Sequence, residues 1–260
     1  MKNVTRLISS AVLLSSAFFV SSTLVCTTDA WTDADAGLIA GDPKNDSIAR
    51  VSGLCGLKIT ADLATVGDNS PADETTFIGR FYFFPKNVAA GDHDIFTALS
   101  DETDANSDVF VIRYNGGNIT LDATAVGGDS VTVAADATHW NLIEFKWESG
   151  ATGSLWINAD ATTDPASDTF GSGTSSIDRV MMGDANAGLF DDYESHRSLA
   201  VGSLLIADSN GNGSINVFDL ISIQNEILGN SLAGGQPDCN LNGGINVFDL
   251  ICTQNTILGK

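Results

Sequence analysis

Two short stretches near the end of the chain carry oxygen-bearing side chains at the spacing that a calcium ion requires. The first runs from Asp208 to Asp219 and the second from Asp238 to Asp249. In both, such side chains stand at loop positions 1, 3, 5, 9 and 12, and glycine stands at position 6. Calcium takes about six to eight oxygen ligands, which a twelve-residue loop supplies when alternate side chains point inward and the chain turns midway. The spacing therefore predicts two calcium sites.

The predicted ligands are of the same kind in both loops. Each loop offers two aspartates, three asparagines and the carbonyl of its seventh residue. The ligands are Asp208, Asn210, Asn212, Ser214, Asn216 and Asp219 in the first loop, and Asp238, Asn240, Asn242, Gly244, Asn246 and Asp249 in the second. Because position 5 is asparagine, each site has only two carboxylates, and since affinity follows ligand charge we expect weak sites.

The repeat extends beyond the loops. Residues 208–229 and 238–259 are identical at sixteen of twenty-two positions. Apolar residues at helical spacing follow each loop, which predicts a helix that starts on the acidic twelfth residue of the loop. A metal-free surface turn is the alternative, but its duplication together with a helix argues against it. Each repeat is thus predicted to be a calcium loop with one exiting helix, an incomplete EF-hand.

Two loop-helix repeats of this kind resemble the dockerin domain, a module by which secreted, mostly polysaccharide-degrading proteins attach to cohesin domains of a scaffold. Aspartate at position 12 fits that family. The resemblance implies a cohesin-like partner, bound through the tenth and eleventh loop residues. These are the apolar pairs Val217, Phe218 and Val247, Phe248. The alternative is that the four residues pack the two helices together, since an apolar residue beside a loop is usually core.

The other end of the chain has the pattern of a secretory signal peptide. Lys2 and Arg6 precede an apolar run from Leu7 to Val20, followed by small residues. We assign residues 1–25 to this segment, with a lipoprotein site at Cys26 as the alternative. No other stretch is apolar over a membrane-spanning length. The protein is therefore expected to be secreted or extracellular, with a place on the cell surface possible.

Export allows the four cysteines to pair, and four cysteines permit three pairings. We favour Cys239 with Cys252, because they replace Ser209 and Ser222 at equivalent repeat positions. Cys26 with Cys55 follows if signal cleavage leaves Cys26 in the chain. Four free thiols are the alternative.

Charge excludes some classes of partner. The formal net charge is -21, and acidic residues outnumber basic ones in both the middle region and the end of the chain. Such a chain repels nucleic acid and anionic membranes.

The middle region, residues 31–205, is predicted to be one β domain. Short strand-like segments alternate with glycine and asparagine turns, over residues 75–85, 108–114, 118–123, 130–134, 139–147 and 153–159. Within 139–147, Trp140, Leu142 and Glu144 alternate with Ile143 and Phe145. Many short strands at this spacing predict an antiparallel β-sandwich or barrel. We expect a helical calcium-binding domain over residues 206–260 to follow it.

The order of these strands, with residues 53–59 before them and 177–183 and 190–195 after them, resembles the concanavalin A-like lectin/glucanase jelly roll in its laminin G-like form. That fold hosts both enzymes and carbohydrate-binding modules, so the resemblance alone assigns no activity. Retaining glucanases of this fold carry Glu-x-Asp-x-Glu on one strand. The nearest arrangement here is Glu144 with Glu148, which Lys146 separates, and we interpret both as solvated acids of an outward strand face.

Other candidate sites are weaker. Lyases of similar shape use an Arg, Gln, His and Tyr set, but no motif unites His93, His139, His196, Tyr82, Tyr114 and Tyr193. A third calcium in the jelly roll would use Asp191 and Asp192 with Asp184, whereas the favoured reading is a pair of surface acids. Trp31, Trp140, Trp147 and Trp156 would stack on sugar rings if exposed, but most tryptophans in a sandwich are core.

Three functions follow from these observations. The first is a secreted, non-catalytic module that binds a glycan or a surface protein and docks to a cohesin-type partner in polysaccharide breakdown. The second is a divergent glycoside hydrolase, acting on O-glycosyl bonds, or a polysaccharide lyase. The third is an envelope or matrix adhesion protein. The missing carboxylate triplet favours the first.

Overall fold

A computed structural model describes residues 26–104 and 106–260, so the predicted signal peptide lies outside the described residues. Over this range strands fill the first part of the chain and two helices end it. The strands are β1 (Asp33–Ala34), β2 (Leu38–Gly41), β3 (Gly56–Ile59), β4 (Thr65–Asp68), β5 (Thr76–Phe84), β6 (His93–Leu99), β7 (Asp108–Asn115), β8 (Asn118–Asp122), β9 (Ser130–Ala134), β10 (Asn141–Glu148), β11 (Thr152–Ile157), β12 (Asp168–Gly171), β13 (Arg179–Gly183) and β14 (Leu189–His196). The helices are α1 (Val217–Ile227) and α2 (Val247–Ile257).

The strands form two antiparallel sheets. The first sheet has the order β1-β4-β13-β6-β7-β8-β9, and the second has the order β12-β11-β10-β5-β14-β3-β2. Sequence neighbours pair in the predicted hairpins β7-β8 and β10-β11, while β5 lies between the distant strands β10 and β14. The chain is therefore mainly β, a sandwich with only two short helices, as the strand pattern predicted.

The core lies between the two sheets and is rich in aromatic residues. Phe81 and Phe145 of the second sheet pack against Phe96 and Phe110 of the first, with ring centroids 5.0 to 5.7 Å apart. Burial of such rings is the main favourable term for a sandwich of this size. The alternation predicted along β10 is confirmed on this side, because Ile143, Phe145 and Trp147 all point into this core.

The outer face of the second sheet is also covered, which the sequence did not predict. Tyr82, Phe84, Trp140 and Leu142 form a second apolar cluster there, and Leu241 packs against it from the end of the chain. We call residues 31–205 the sandwich and residues 206–260 the tail. The tail and the segment that leads into it therefore lie on the second sheet.

Glu144 shows the consequence of this cover and corrects our interpretation of it as a solvated acid. Its side chain is fully buried. It accepts hydrogen bonds from the backbone N–H groups of Val201 at 2.7 Å and Gly202 at 2.9 Å. Burial raises the pKa of Glu144, and these two donors oppose that rise. Glu148 does remain at the surface, where it pairs with Lys146 at 2.8 Å.

Both helices begin two residues earlier than predicted. Asn216 and Asn246 cap α1 and α2, and their side-chain oxygens accept the N–H of Phe218 and Phe248 at 2.9 Å. The twelfth loop residue is then the third residue of the helix, where its carboxylate bonds back to the cap. This capping box satisfies donors that a helix start leaves free.

The favoured disulfide is present, and so is the one that was conditional on signal cleavage. Cys26 is bonded to Cys55, and Cys239 is bonded to Cys252. In the first repeat the equivalent residues, Ser209 and Ser222, are linked instead by a hydrogen bond from Ser222 Oγ to the Ser209 carbonyl at 3.3 Å. The second repeat thus replaces a weak polar contact with a covalent one. No helix in the described part of the chain has the length and apolar character needed to cross a bilayer.

Replacing Glu144 by alanine is expected to destabilise the fold by about 3 kcal/mol, because two buried N–H groups would lose their acceptor. The matched control is Glu148→Ala, four residues along the same strand, which removes only an exposed ion pair and should cost less than about 1 kcal/mol. Urea unfolding followed by circular dichroism measures both. Equal midpoints for the two variants would contradict the buried role of Glu144.

Candidate functional site

The two predicted calcium loops fold alike, bond by bond. At position 1, Asp208 Oδ2 accepts the N–H of Gly213 at 2.7 Å, and Asp238 Oδ2 accepts that of Gly243 at 2.7 Å. At position 12, the carboxylate of Asp219 accepts the N–H of Asn216 at 2.8 Å, and Asp249 repeats this with Asn246. The backbone of each loop therefore curls around the carboxylates of its first and last residues.

Backbone N–H groups within each loop link its two carboxylates by hydrogen bonds. Asn210 N–H donates to Asp219 and Asn212 N–H donates to Asp208, both at 3.1 Å, and the second loop has the same pair of bonds. The side-chain oxygens of positions 3 and 5 turn back onto the loop, where each accepts the N–H two residues on. Positions 1, 3, 5 and 12 are thus gathered within one turn of chain.

These carboxylates are buried without a cation. Asp208, Asp219, Asp238 and Asp249 are at most 7% exposed. Among residues 26–104 and 106–260, no lysine, arginine or histidine forms an ion pair with any of them. Burying an ionised carboxylate is costly unless a positive charge or a metal neutralises it. The donor set, all of it hard oxygen, fits a calcium ion.

Electrostatics in the second loop points the same way. The pKa of Asp238 is raised to about 7, mainly by burial and also by the nearby carboxylate of Asp249, against the lowering effect of the Gly243 and Asn242 N–H groups. Burial also raises the pKa of Asp249. Two like charges held in one buried loop disfavour each other's ionised form. The protein alone does not balance this charge.

Position 9 and position 7 are arranged differently from the other predicted ligands. The oxygens of Asn216 and Asn246 cap the helices, and their amide nitrogens donate to the carbonyls of Ser214 at 3.2 Å and Gly244 at 2.9 Å. Position 9 of such loops often acts through a water molecule. The side-chain oxygens of position 9 are therefore used by the helix caps, unlike those of positions 1, 3, 5 and 12.

Each loop holds too few acids to form a conventional metal cluster. In the described residues no group of three or more His, Cys, Asp or Glu side chains is placed to hold a metal ion. Asparagine amides and backbone carbonyls supply the remaining oxygens of these loops.

The apolar pairs that follow the loops are exposed, so they do not pack the two helices together. Phe218 is 65% exposed and Phe248 is 66% exposed, and Val217 and Val247 are also largely in water. The side chains that are buried in the helices are instead Asp219 and Ile223 in α1, and Asp249 and Thr253 in α2. The alternative of a helix-helix core at these four residues is wrong.

Six further apolar residues extend this surface, and the sequence reasoning missed them. They are Ile221, Ile227 and Leu228 in the first repeat and Ile251, Ile257 and Leu258 in the second, and all are exposed. Apolar residues at helical spacing usually form a buried stripe, and these residues face water instead. The signal that was available is their identity between the repeats. We call the ten exposed residues, five from each repeat, the apolar faces of the tail.

The catalytic candidates are not brought together. His93 hydrogen bonds to the carbonyls of Asp184 and Ala89, His139 to Asp136, and His196 to Glu194. Tyr82 accepts the N–H of Leu204 at 3.1 Å. These contacts lie on different parts of the chain, and each is explained by local structure.

The acids of the suggested third calcium site are also separate. Asp191 accepts the backbone N–H groups of Val51 at 2.6 Å and Ser52 at 2.9 Å, while Asp192 pairs with Arg80. Burial raises the pKa of Asp191 to about 7. Asp184 instead accepts the N–H of Leu63 at 2.7 Å. Asp191 and Asp192 are thus structural and partly buried, not the surface pair that we favoured.

The tryptophans are mostly internal. Trp140 and Trp147 are buried, and the indole N–H of Trp147 donates to the Ser172 carbonyl at 2.8 Å. Trp31 stacks on Tyr193 with ring centroids 5.1 Å apart. Trp156 is half-buried, with its N–H on the Asp164 carbonyl at 3.2 Å. None offers a fully open ring face for a sugar.

No family model and no curated protein matches this chain. Among solved structures it is similar to the binding domain of botulinum neurotoxin serotype G, with 13% identity over 64% of this chain and 44% of that one, at a TM-score of 0.44. It is similar to the cellulose induced protein Cip1, with 14% identity over 66% of this chain and 91% of that one, at 0.44. It is also similar to the globular domain of T. cruzi calreticulin, with 9% identity over 63% and 84%, at 0.37. The chain spans less than half of the neurotoxin domains that it matches.

Proposed function

We propose that this is a secreted, calcium-binding modular protein whose β-sandwich is a non-catalytic binding module and whose tail is a dockerin-like docking module. The observation that carries the proposal is the tail itself. It holds two loops with buried, unneutralised carboxylates, and each loop leads into a helix that keeps its apolar face in water.

Calcium is the cation that suits these loops. Asp208, Asn210, Asn212 and Asp219 would hold one ion, and Asp238, Asn240, Asn242 and Asp249 the other, with the carbonyls of Ser214 and Gly244 as further donors. Asn216 and Asn246 would act through water. A bound ion would neutralise the facing carboxylates and so favour the folded loop. Sites with two carboxylates each suit an extracellular protein, since extracellular modules bind calcium with Kd of about 10⁻⁴ to 10⁻³ M.

The apolar faces support a docking role for the tail. Large apolar side chains that stay exposed on a folded surface usually mark an interaction site. The faces are duplicated, residue for residue, in the two repeats. They lie on helices without a basic residue, in a segment where Lys260 is the only base after residue 198. The partner proposed for them is a cohesin-type domain with an apolar docking surface.

Burial of Glu144 supports a non-catalytic sandwich. A general acid or nucleophile must reach the substrate. Both carboxylate oxygens of Glu144 are occupied by backbone donors of the chain itself, and the residue is sealed from solvent. The module would therefore bind a glycan or a glycoprotein without cleaving it. The role in polysaccharide breakdown is then one of targeting.

Calcium should stabilise the full-length protein against heat. At a calcium concentration about one hundred times Kd, one filled site adds about 2.7 kcal/mol, and a chelator removes it. Differential scanning calorimetry with calcium, with magnesium and with chelator measures the shift. Asp208→Ala combined with Asp238→Ala should abolish it, whereas the exposed control Asp62→Ala should keep it. An unchanged melting temperature in the parent protein would contradict calcium binding.

Docking should depend on both apolar faces. Phe218→Ser and Phe248→Ser together are expected to weaken binding to a cohesin domain by at least about thirtyfold, as loss of a central aromatic anchor does. Surface plasmon resonance against a panel of cohesin domains, at saturating calcium, provides the measurement. Leu199→Ser removes an exposed apolar residue outside the faces and should leave binding intact. If the double variant binds like the parent, the faces are not the docking surface.

Immobilised polysaccharides should retain the protein through its sandwich, and the protein should not degrade them. The full-length protein is screened against immobilised glycans, and both retention and release of reducing ends are recorded. Retention without release is the expected result. Release of sugar would overturn the non-catalytic assignment in favour of a divergent hydrolase or lyase. Silence in both assays, with cohesin binding kept, would favour an adhesion or matrix role.

A further inference from the structure

The two loops have predicted ligands of the same kind, but they differ in their contact with the sandwich. The backbone N–H of Trp140 donates to the carbonyl of Leu241, at position 4 of the second loop, with 2.8 Å between nitrogen and oxygen. The Leu241 side chain packs against the cluster of Tyr82, Phe84, Trp140 and Leu142. The first loop has no leucine to make this contact, because its position 4 is Gly211.

The backbone of Leu241 is strained in a way that this contact explains. Its φ is +57°, in the left-handed region, where a residue with a branched side chain pays a steric cost of about 1 kcal/mol. Gly211 adopts a similar φ of +72° without that cost. The leucine at position 4 therefore costs free energy locally, and its packing on the sandwich offsets that cost.

Close approach at position 6 gives a second, independent asymmetry. A Cβ added to Gly243 would lie 2.6 Å from the Phe84 ring, whereas one added to Gly213 would meet nothing within 4 Å. Residues 211–214 are exposed, and residues 241–244 are half-buried. The sandwich thus closes over one side of the second loop and leaves the first loop open.

Two of the positions at which the two repeats differ make contacts with the sandwich. Besides Leu241, the first repeat has Glu226 where the second has Thr256. Glu226 forms a buried ion pair with Arg50 of the sandwich at 2.8 Å and accepts the N–H of Ala233 at 2.7 Å. The apolar faces, by contrast, are identical in the two repeats. Two non-repeated residues, Leu241 and Glu226, therefore help to attach the tail to the sandwich, together with the repeated Gly243.

We propose that the second loop is a calcium-dependent clasp between tail and sandwich. Calcium at this loop fixes the Leu241 carbonyl and the turn at Gly243 in the shape that seats on Trp140 and Phe84, and the sandwich in turn favours that shape. By linkage, calcium binds the second loop more tightly than the first. The first loop is filled without affecting the sandwich. This inference rests on calcium binding as proposed above.

Hydrogen-deuterium exchange on the full-length protein tests the clasp. The amide of Trp140 is protected by the Leu241 carbonyl, so the peptide that contains it should exchange faster when calcium is chelated. Asp238→Ala at saturating calcium should reproduce that increase, and the matched Asp208→Ala should not. An exchange rate that is independent of calcium, or that responds equally to both variants, would overturn the clasp.

Calorimetric titration with calcium supplies the second measurement. Leu241→Gly copies the residue of the first loop and relieves its strained backbone, so it keeps the loop foldable. It should weaken the second site by about tenfold and leave the first unchanged. Gly243→Ala should weaken its site more than Gly213→Ala weakens the first, since both pay the same φ cost and only one meets Phe84. Equal changes at the two sites would overturn the proposal. If calcium fills both sites but does not change exchange at Trp140, only the clasp is contradicted. If the parent protein binds no calcium, the proposed function is contradicted as well.

Discussion

Each loop of the tail folds around two carboxylates that form no ion pair with any lysine, arginine or histidine among residues 26–104 and 106–260. Backbone N–H groups converge on the first and last residues of the loop, and the asparagine side chains hold the turn between them. The acid at position 12 also starts the helix through its bond to the cap. Loop and helix therefore form one hydrogen-bonded unit.

Charged groups of the sandwich are likewise covered by backbone from another part of the chain. A sheet in a sandwich ordinarily buries one face and leaves the other to water. Here the second sheet is covered on both faces, because the connecting segment and the second loop lie across its outside. Arg80 donates to the Gly202 carbonyl at 2.8 Å and Glu144 accepts the Gly202 N–H, so two charged side chains hold one strip of backbone. The face of this sheet around Glu144 is closed to ligand.

Local patterns in the sequence were enough to predict many of the strands, among them β5 and β7 to β11, the hairpins β7-β8 and β10-β11, the two loop-helix repeats and the Cys239–Cys252 disulfide. They rest on period, turn residues and spacing, which a short stretch of sequence contains. Patterns failed where burial is decided by a distant segment. Nothing around Glu144 announces that residues 201–202 will cover it, and nothing in the spacing of Phe218 or Ile221 tells an outward apolar stripe from an inward one. The helix start was also misplaced, because Asn216 and Asn246 cap the helices and the spacing gave no sign of these caps.

The apolar faces of the tail have a consequence for the behaviour of the molecule in solution. Ten large apolar side chains held in water would draw copies of the protein together wherever two tails meet. The formal net charge of -21 opposes this encounter, and its repulsion between exposed charges reaches about 8 Å at physiological ionic strength. The acidity of the chain thus opposes self-association of the protein. Charge repulsion keeps the apolar faces of two copies apart, but it does not oppose contact with a neutral or basic surface of complementary shape.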